Sequence, residues 1–149
     1  MMSKDRPLRF LTGVGGIRDI IVGAGFLTGS TEVTSLQLYI NFNSLLVGAA
    51  APLVGWLFLI AGIVALLAAV KDWPVLASRA LWVQSFLWLF SGWMYLLSGD
   101  LFHSIVFGYL FSIPAAYIAI HYKWKASWIQ EQAELRRELA ELRKLIRGP

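Results

Sequence analysis

The sequence predicts an all-α integral membrane protein, in which a bundle of four spans is followed by a cytoplasmic amphipathic or coiled-coil helix. Two observations on composition support this fold class. First, 58% of the 149 residues are hydrophobic and only 15% are charged, whereas about 25% of an average soluble domain is charged. Second, most charged residues lie in residues 1–9 and 123–149, and only seven lie in the 113 residues between them. A soluble domain spreads its charges over its whole surface, so this distribution indicates an apolar core with charged ends.

A third observation is a series of apolar stretches, because a membrane helix needs about 20 mostly apolar residues. The predicted spans are residues 10–28, 44–70, 75–97 and 101–121. Polar turns at 71–74 and 98–100 separate the later spans, and Pro74 suits the first turn of a helix. We expect Pro52 and Pro114, which fall inside spans, to produce kinks. The first stretch contains an Arg-Asp pair, so a three-span alternative stays open.

The basic residues predict the orientation of the bundle, because Lys and Arg concentrate on the cytoplasmic side of a membrane. Three bases lie in the N-terminal tail (residues 1–9), seven lie in residues 123–149, and Lys71 lies in the second connection. The first and third connections carry Glu32 and Asp100 but no base. Only four spans satisfy this alternation. The sequence therefore predicts a multi-pass protein of the plasma or inner membrane with both termini in the cytoplasm.

The most unusual feature of the first span is the pair Arg18-Asp19 near its middle. A charge at the centre of a bilayer costs about 2.5–3.5 kcal/mol on insertion scales, so such residues usually face a bundle interior and find partners there. Counting nine residues inward from the cytoplasmic ends of the third and fourth spans reaches Gln84 and Ser112. We expect these two side chains to hydrogen-bond Arg18 or Asp19 and to complete an intramembrane polar cluster. Three roles are open for Arg18 and Asp19: a structural ion pair, part of an ion or proton path, or an interface with another protein.

The face of the first span that carries Asp19 is otherwise small. It contains Thr12, Gly15, Gly16 and Gly23, which lie on the same side of a helix as the carboxylate. Small residues let membrane helices approach each other closely. This face is therefore predicted to contact another helix.

Aromatic residues and histidines raise the question of a cofactor. Trp56, Trp82 and Trp88 lie deep in the spans, where we expect packing or lipid contact. His103 and His121 are 18 residues apart and share one face of the fourth span. Two haem groups can be held at opposite sides of a membrane in this way, but here the second ligands would have to come from another subunit. We therefore interpret both as interfacial histidines and expect no cofactor and no metal.

Residues 126–147 form a strongly predicted helix, because they are rich in helix formers and contain neither Pro nor Gly. Their apolar residues follow a heptad with position d at Leu135 and Leu142, and glutamates at g face arginines at e of the next heptad of a parallel partner. The residues predicted to carry self-association are Gln132, Leu139 and Ile146 at a, Leu135 and Leu142 at d, Glu131 and Glu138 at g, and Arg136 and Arg143 at e. The alternative is an amphipathic helix that lies on the membrane surface or against another subunit.

Several function classes are excluded or unsupported. The chain has no cysteine, which rules out disulfides, thiol catalysis, thiolate metal sites and iron–sulfur clusters. The sequence offers no nucleophile with a nearby base, no pair of catalytic carboxylates and no phosphate-binding loop. The net charge of +4 comes from bases at the ends of apolar segments, so it indicates a membrane partner rather than nucleic acid. We therefore expect a protein that is not an enzyme.

The run Gly16-Ile17-Arg18-Asp19-Ile20-Ile21-Val22-Gly23 resembles a G-x-R-D-x-x-x-G pattern of small four-helix, DoxX-like membrane families, which are mostly of unknown function. The charged C-terminal tail departs from those families. The overall layout also resembles some bacteriophage holins, which are small, multi-span and Trp-rich with a charged tail. Fold-level likeness does not determine function.

Together these features predict that the protein is a non-enzymatic, oligomeric assembly or accessory subunit of a membrane complex. Its partners would be the lipid bilayer and either a second copy of the chain or another membrane protein. The alternative is a holin-like pore lined by the polar face of the first span.

Overall fold

The computed structural model describes residues 6–28, 50–97, 99 and 101–147, and nearly all of them are helical. The helices are α1 (Arg6–Thr28), α2 (Ala50–Lys71), α3 (Pro74–Leu97), α4 (Leu101–Ile105), a π-helical segment (Val106–Phe111) and α5 (Ser112–Arg147). The predicted all-α class is therefore confirmed. The start of the second predicted span, residues 44–49, lies outside the described residues, as do residues 1–5 of the N-terminal tail.

Within the described part of the chain, four helical stretches are long and apolar enough to cross a membrane. The surface of the bundle carries large apolar side chains, such as Phe10, Phe86 and Trp93, while Thr12 and Gln84 are fully buried. A soluble protein rarely exposes a continuous apolar surface of this kind. The pattern is consistent with a multi-pass membrane protein.

α1 and α2 contact each other through two pairs of glycines. A Cβ atom added at Gly16 would lie 2.8 Å from the carbonyl oxygen of Gly62, and one added at Gly23 would lie 2.7 Å from that of Gly55. Real Cβ atoms do not approach backbone so closely, so this contact requires glycine. The small face of α1 that the sequence predicts makes the contact, and its partner on α2 has the same seven-residue spacing, which is two helical turns.

Polar contacts tie together the end of the bundle that contains the α2–α3 turn. Arg9 donates through Nε to the carbonyl oxygen of Ala69 (2.8 Å) and through Nη2 to that of Val70 (2.9 Å). These carbonyls belong to the last turn of α2, where a helix leaves its acceptors without partners. Asp72 in the turn has a left-handed backbone (φ 54°) and forms an ion pair with Lys125 of α5, with Nζ 2.9 Å from Oδ1.

The π-helical segment lies between two features that explain it. In a regular α-helix the backbone N–H of residue 114 would donate to the carbonyl oxygen of Leu110, but Pro114 has no N–H. On the facing helix, a Cβ atom at Gly92 would overlap the backbone of Gly108, so α3 and the π-helical segment are in direct backbone contact. The structure shows a π-helical segment upstream of Pro114, and such segments are a common cause of helix distortion. The kink expected at Pro114 stays a prediction.

α5 continues without a break from inside the bundle to Arg147. The sequence predicts a span at 101–121 and a helix at 126–147, and in the structure a single helix, α5, runs from within the first of these ranges to the end of the second. Residues 123–125 are as helical as their neighbours because they contain no Pro, Gly or turn former. At 1.5 Å per residue, the 22 residues from 126 to 147 reach about 33 Å along the helix axis.

Candidate functional site

Asp19 lies at the centre of the candidate site and is completely buried. Three nitrogen atoms lie close to its Oδ1 oxygen: Arg18 Nε at 2.8 Å, Arg18 Nη2 at 2.8 Å and Trp88 Nε1 at 3.0 Å. The other oxygen, Oδ2, is also buried but receives no hydrogen bond from the described residues. All the hydrogen-bond donors around this carboxyl group therefore lie on one of its two oxygens.

Arg18 is held by aromatic rings as well as by the carboxylate. Its guanidinium carbon lies 4.4 Å from the centroid of the Trp88 ring and 4.7 Å from that of Phe111. A cation over an aromatic face is stabilised by about 0.5–2 kcal/mol, with the larger values where water is excluded. The side chain is 29% exposed, so the arginine reaches the surface of the bundle while Asp19 does not.

Trp88 connects the ion pair to the rest of the core. It is 2% exposed and contacts Phe58 of α2, Phe107 and Phe111, with ring centroids 5.0, 5.4 and 4.9 Å away. Phe107 and Phe111 both belong to the π-helical segment. The expectation of a packing role for Trp88 is therefore incomplete, because its indole N–H is also the only donor to Asp19 from another helix among the described residues. Its position four residues after Gln84, on the same helix face, is the signal that sequence reasoning missed.

Gln84 lies near the pair but does not bond to it in the described contacts. The side chain is completely buried, and Nε2 donates to the carbonyl oxygen of Ala61 at 3.4 Å. Its Oε1 atom has no donor and lies 3.8 Å from the position that a Cβ atom of Gly15 would take. Depth matching predicts a hydrogen bond from Gln84 to Arg18 or Asp19, whereas the described donor from α3 to Asp19 is Trp88, about one turn further along the helix.

Ser112 is predicted to hydrogen-bond Arg18 or Asp19, but its described partner is Ser85. The two hydroxyl oxygens lie 3.0 Å apart, and the Ser85 hydroxyl lies 3.0 Å from the carbonyl oxygen of Ser112, to which it can donate. This contact joins α3 to α5. A short hydroxyl can satisfy itself on the nearest backbone or side chain, so depth alone does not choose its partner.

The predicted self-association surface lies on the extended part of α5. Leu135, Leu139 and Leu142 are each about half exposed, and Gln132 is partly buried. The side chain of Ile146 lies outside the described residues. The predicted g and e residues, Glu131, Glu138, Arg136 and Arg143, are all exposed. Within one chain this apolar surface therefore remains uncovered.

The histidines contact aromatic rings. His103 stacks on Tyr95 with ring centroids 5.2 Å apart, and His121 lies 4.6 Å from Tyr117 in an edge-to-face arrangement. Among the described residues, no three His, Asp or Glu side chains come together as metal ligands would. The candidate site in the described part of the chain is therefore the Arg18–Asp19 ion pair and the aromatic rings around it, rather than a metal centre.

The chain matches no family model, no curated protein and no solved structure.

Proposed function

We propose that the protein is a non-enzymatic, multi-pass membrane protein that self-associates through residues 126–147 and acts as an assembly subunit of a membrane complex. The observation that carries this proposal is the unbroken α5, which extends an exposed apolar surface about 33 Å beyond the bundle.

Insertion in a membrane is supported by the distribution of polarity. The four apolar stretches expose large side chains and bury an ion pair, and a buried charge pair is what a bundle interior accommodates in lipid. Arg9, the α2–α3 turn and Lys125 lie together at one end, which is the end that the distribution of bases assigns to the cytoplasm.

Self-association is favoured over a helix that lies flat on the membrane. A flat helix would need a bend after Tyr122, whereas α5 is continuous there, and the Lys125–Asp72 ion pair fixes its base to the bundle. Copies in one membrane hold their tails parallel and at high effective concentration. In that arrangement Leu139 and Leu142 form the seam and the predicted Glu–Arg pairs have opposite charges. Three heptads alone would be marginal in water, so the spans supply the proximity that the tail needs.

The pore alternative is less well supported. Its lining would be the polar face of α1, but Thr12 and Asp19 are completely buried within one chain. Thr12 already hydrogen-bonds the hydroxyl of Tyr122 at 3.3 Å. Purified protein in liposomes is therefore expected to give no ion flux above that of empty liposomes.

The test is the mass of the full-length protein in mild detergent, measured by light scattering. Replacing Leu139 and Leu142 by Asp places two charges in the seam and should reduce the oligomer to a smaller species. The matched control replaces Ala133 and Ala140 by Asp, which adds the same charge at the exposed b positions of the same heptads. The control should keep the mass of the parent. An unchanged mass for the Leu139/Leu142 variant, or an equal loss in the control, would contradict self-association through this seam.

A further inference from the structure

Two buried oxygen atoms in the candidate site have no hydrogen-bond donor among the described residues. They are Asp19 Oδ2 and Gln84 Oε1, and both side chains are completely buried. A buried acceptor without a donor is unfavourable, so each such atom calls for a physical explanation. Gln84 Oε1 lies 3.8 Å from the position that a Cβ atom of Gly15 would take, and Gly15 precedes Asp19 by about one turn of α1.

The donors around Asp19 leave one of its two carboxyl oxygens as a place where a proton can bind. A carboxylate has two equivalent oxygens and accepts hydrogen bonds at both. Here Arg18 and Trp88 approach Oδ1 only, while Oδ2 receives no donor from the described residues. A hydrogen atom on Oδ2 would make that oxygen a donor, and Gln84 Oε1 is the other buried oxygen of the described residues that lacks one.

The aromatic rings around Arg18 can stabilise its positive charge when the Asp19 carboxyl group is protonated and therefore neutral. Its guanidinium lies over the faces of Trp88 and Phe111, which attract a cation without a counter-ion. No Asp, Glu, Lys or Arg lies between residues 51 and 70 of α2, between residues 80 and 97 of α3, or between residues 101 and 122. The described titratable groups on these elements are Tyr95, Tyr109, Tyr117, Tyr122, His103 and His121. Tyr95 and His103 stack on each other, and Tyr122 hydrogen-bonds Thr12, about two turns from Asp19.

We propose that Asp19 is a proton-binding site inside the bundle. A proton from water forms an O–H bond at Oδ2, and this hydroxyl donates to Gln84 Oε1 while Oδ1 continues to accept from Arg18 and Trp88. The charge of the site changes from zero to +1, and that charge remains on Arg18. The glycine at position 15 leaves room beside Gln84, because no atom of another helix except Oε1 comes within 4 Å of the place of its Cβ. This site is separate from the tail and does not depend on self-association.

The direct test is infrared difference spectroscopy of the full-length protein in lipid nanodiscs as the pH is lowered. The wild type should gain the C=O band of a buried carboxylic acid, and Asp19→Asn should lack it. Asp72→Asn, which removes an exposed carboxylate at the end of the bundle, is the matched control and should retain the band. Gln84→Leu removes the acceptor and should shift the band to the frequency of an acid without a hydrogen bond. No acid band that depends on Asp19, or a band unchanged by Gln84→Leu, would overturn the proposal.

The stability of Asp19→Asn gives a second measurement. An asparagine amide can donate to Gln84 Oε1 as the acid hydroxyl does, so this variant should melt at or above the temperature of the wild type at the acidic end of the titration. If Asp19 instead serves only as a permanent counter-ion of Arg18, the same variant should melt far below the wild type or fail to fold. Either of those results overturns the proposal, and Asp72→Asn again shows the effect of losing a carboxylate elsewhere.

Discussion

The glycine contact between α1 and α2 can be tested by adding one methyl group at two neighbouring positions. At Gly16 the new Cβ would lie 2.8 Å from the carbonyl oxygen of Gly62 and 3.0 Å from the amide nitrogen of Leu66. Both are backbone atoms, which cannot rotate away, so the two helices must separate. At Gly13, the nearest atom to the new Cβ is Leu66 Cδ1 at 3.8 Å, an ordinary contact.

The two variants gain the same helix propensity, so their difference isolates the cost of the clash. Replacing Gly by Ala in a helix contributes about 0.8–1 kcal/mol. Overpacking a tight interface usually costs about 1–3 kcal/mol. We therefore expect Gly13→Ala to be neutral or slightly more stable than the parent, and Gly16→Ala to unfold about 1–3 kcal/mol more easily than Gly13→Ala.

The assay is reversible unfolding of the detergent-solubilised protein, followed by the fluorescence of its seven tryptophans. Gly62→Ala provides a check from the opposite helix, because its Cβ would lie 2.6 Å from the carbonyl oxygen of Gly16. It should be as unstable as Gly16→Ala. Equal stability of Gly16→Ala and Gly13→Ala would refute the reasoning, since it would mean that α1 and α2 are not in backbone contact at this level.

Three further predictions concern the ends of the bundle. Reporter fusions at Glu32 and Asp100 should lie outside the cell and those at Asp72 and Gly148 inside, because the bases alternate along the chain; an external C-terminus would contradict four spans. Arg9→Leu should lower the free energy of unfolding by about 1–3 kcal/mol, because two carbonyls at the end of α2 lose their donor. An unchanged unfolding curve would show that the bundle does not need these two hydrogen bonds. Arg9→Lys is the control that keeps the charge. Asp72→Val should lower the free energy of unfolding by about 1–2 kcal/mol, because a residue with a bulky side chain is strained in the left-handed backbone of this turn. Asp72→Gly should be tolerated there. Equal effects of the two substitutions would argue against that backbone conformation.

The span boundaries were predictable because they depend on short-range properties of the chain. Lys71 ends α2 and Pro74 begins α3, in agreement with the polar turn predicted at 71–74, because proline suits the first turn of a helix. The end of a membrane span need not be the end of a helix. Lys123 and Lys125 indicate the end of a span, but a charged residue does not stop a helix, and the absence of Pro and Gly from residues 115–147 was the sign that α5 continues.

Partners within the bundle were harder to predict because they depend on rotation as well as depth. Depth matching selected Gln84, but the described donor from α3 to Asp19 is Trp88, four residues further along the helix. Tryptophan is easily assigned to packing because most of its surface is apolar, although its single N–H needs an acceptor when it is buried. The glycine partners on α2, Gly55 and Gly62, lie in an otherwise uniform apolar run, where only their seven-residue spacing marked them.

The continuity of α5 also means that the orientation of its tail is determined inside the bundle. A helix without a break transmits rotation about its own axis, and successive residues of an α-helix are turned by about 100°. Residues 126–147 belong to α5, which begins directly after the π-helical segment. In that segment Gly108 packs against Gly92, and Phe107 and Phe111 pack against Trp88. If that segment became regular α-helix by shifting one residue, the leucine surface of the tail would face a direction about 100° away. The direction that the leucine surface of the tail faces is therefore a property of a few aromatic and glycine contacts beside the ion pair.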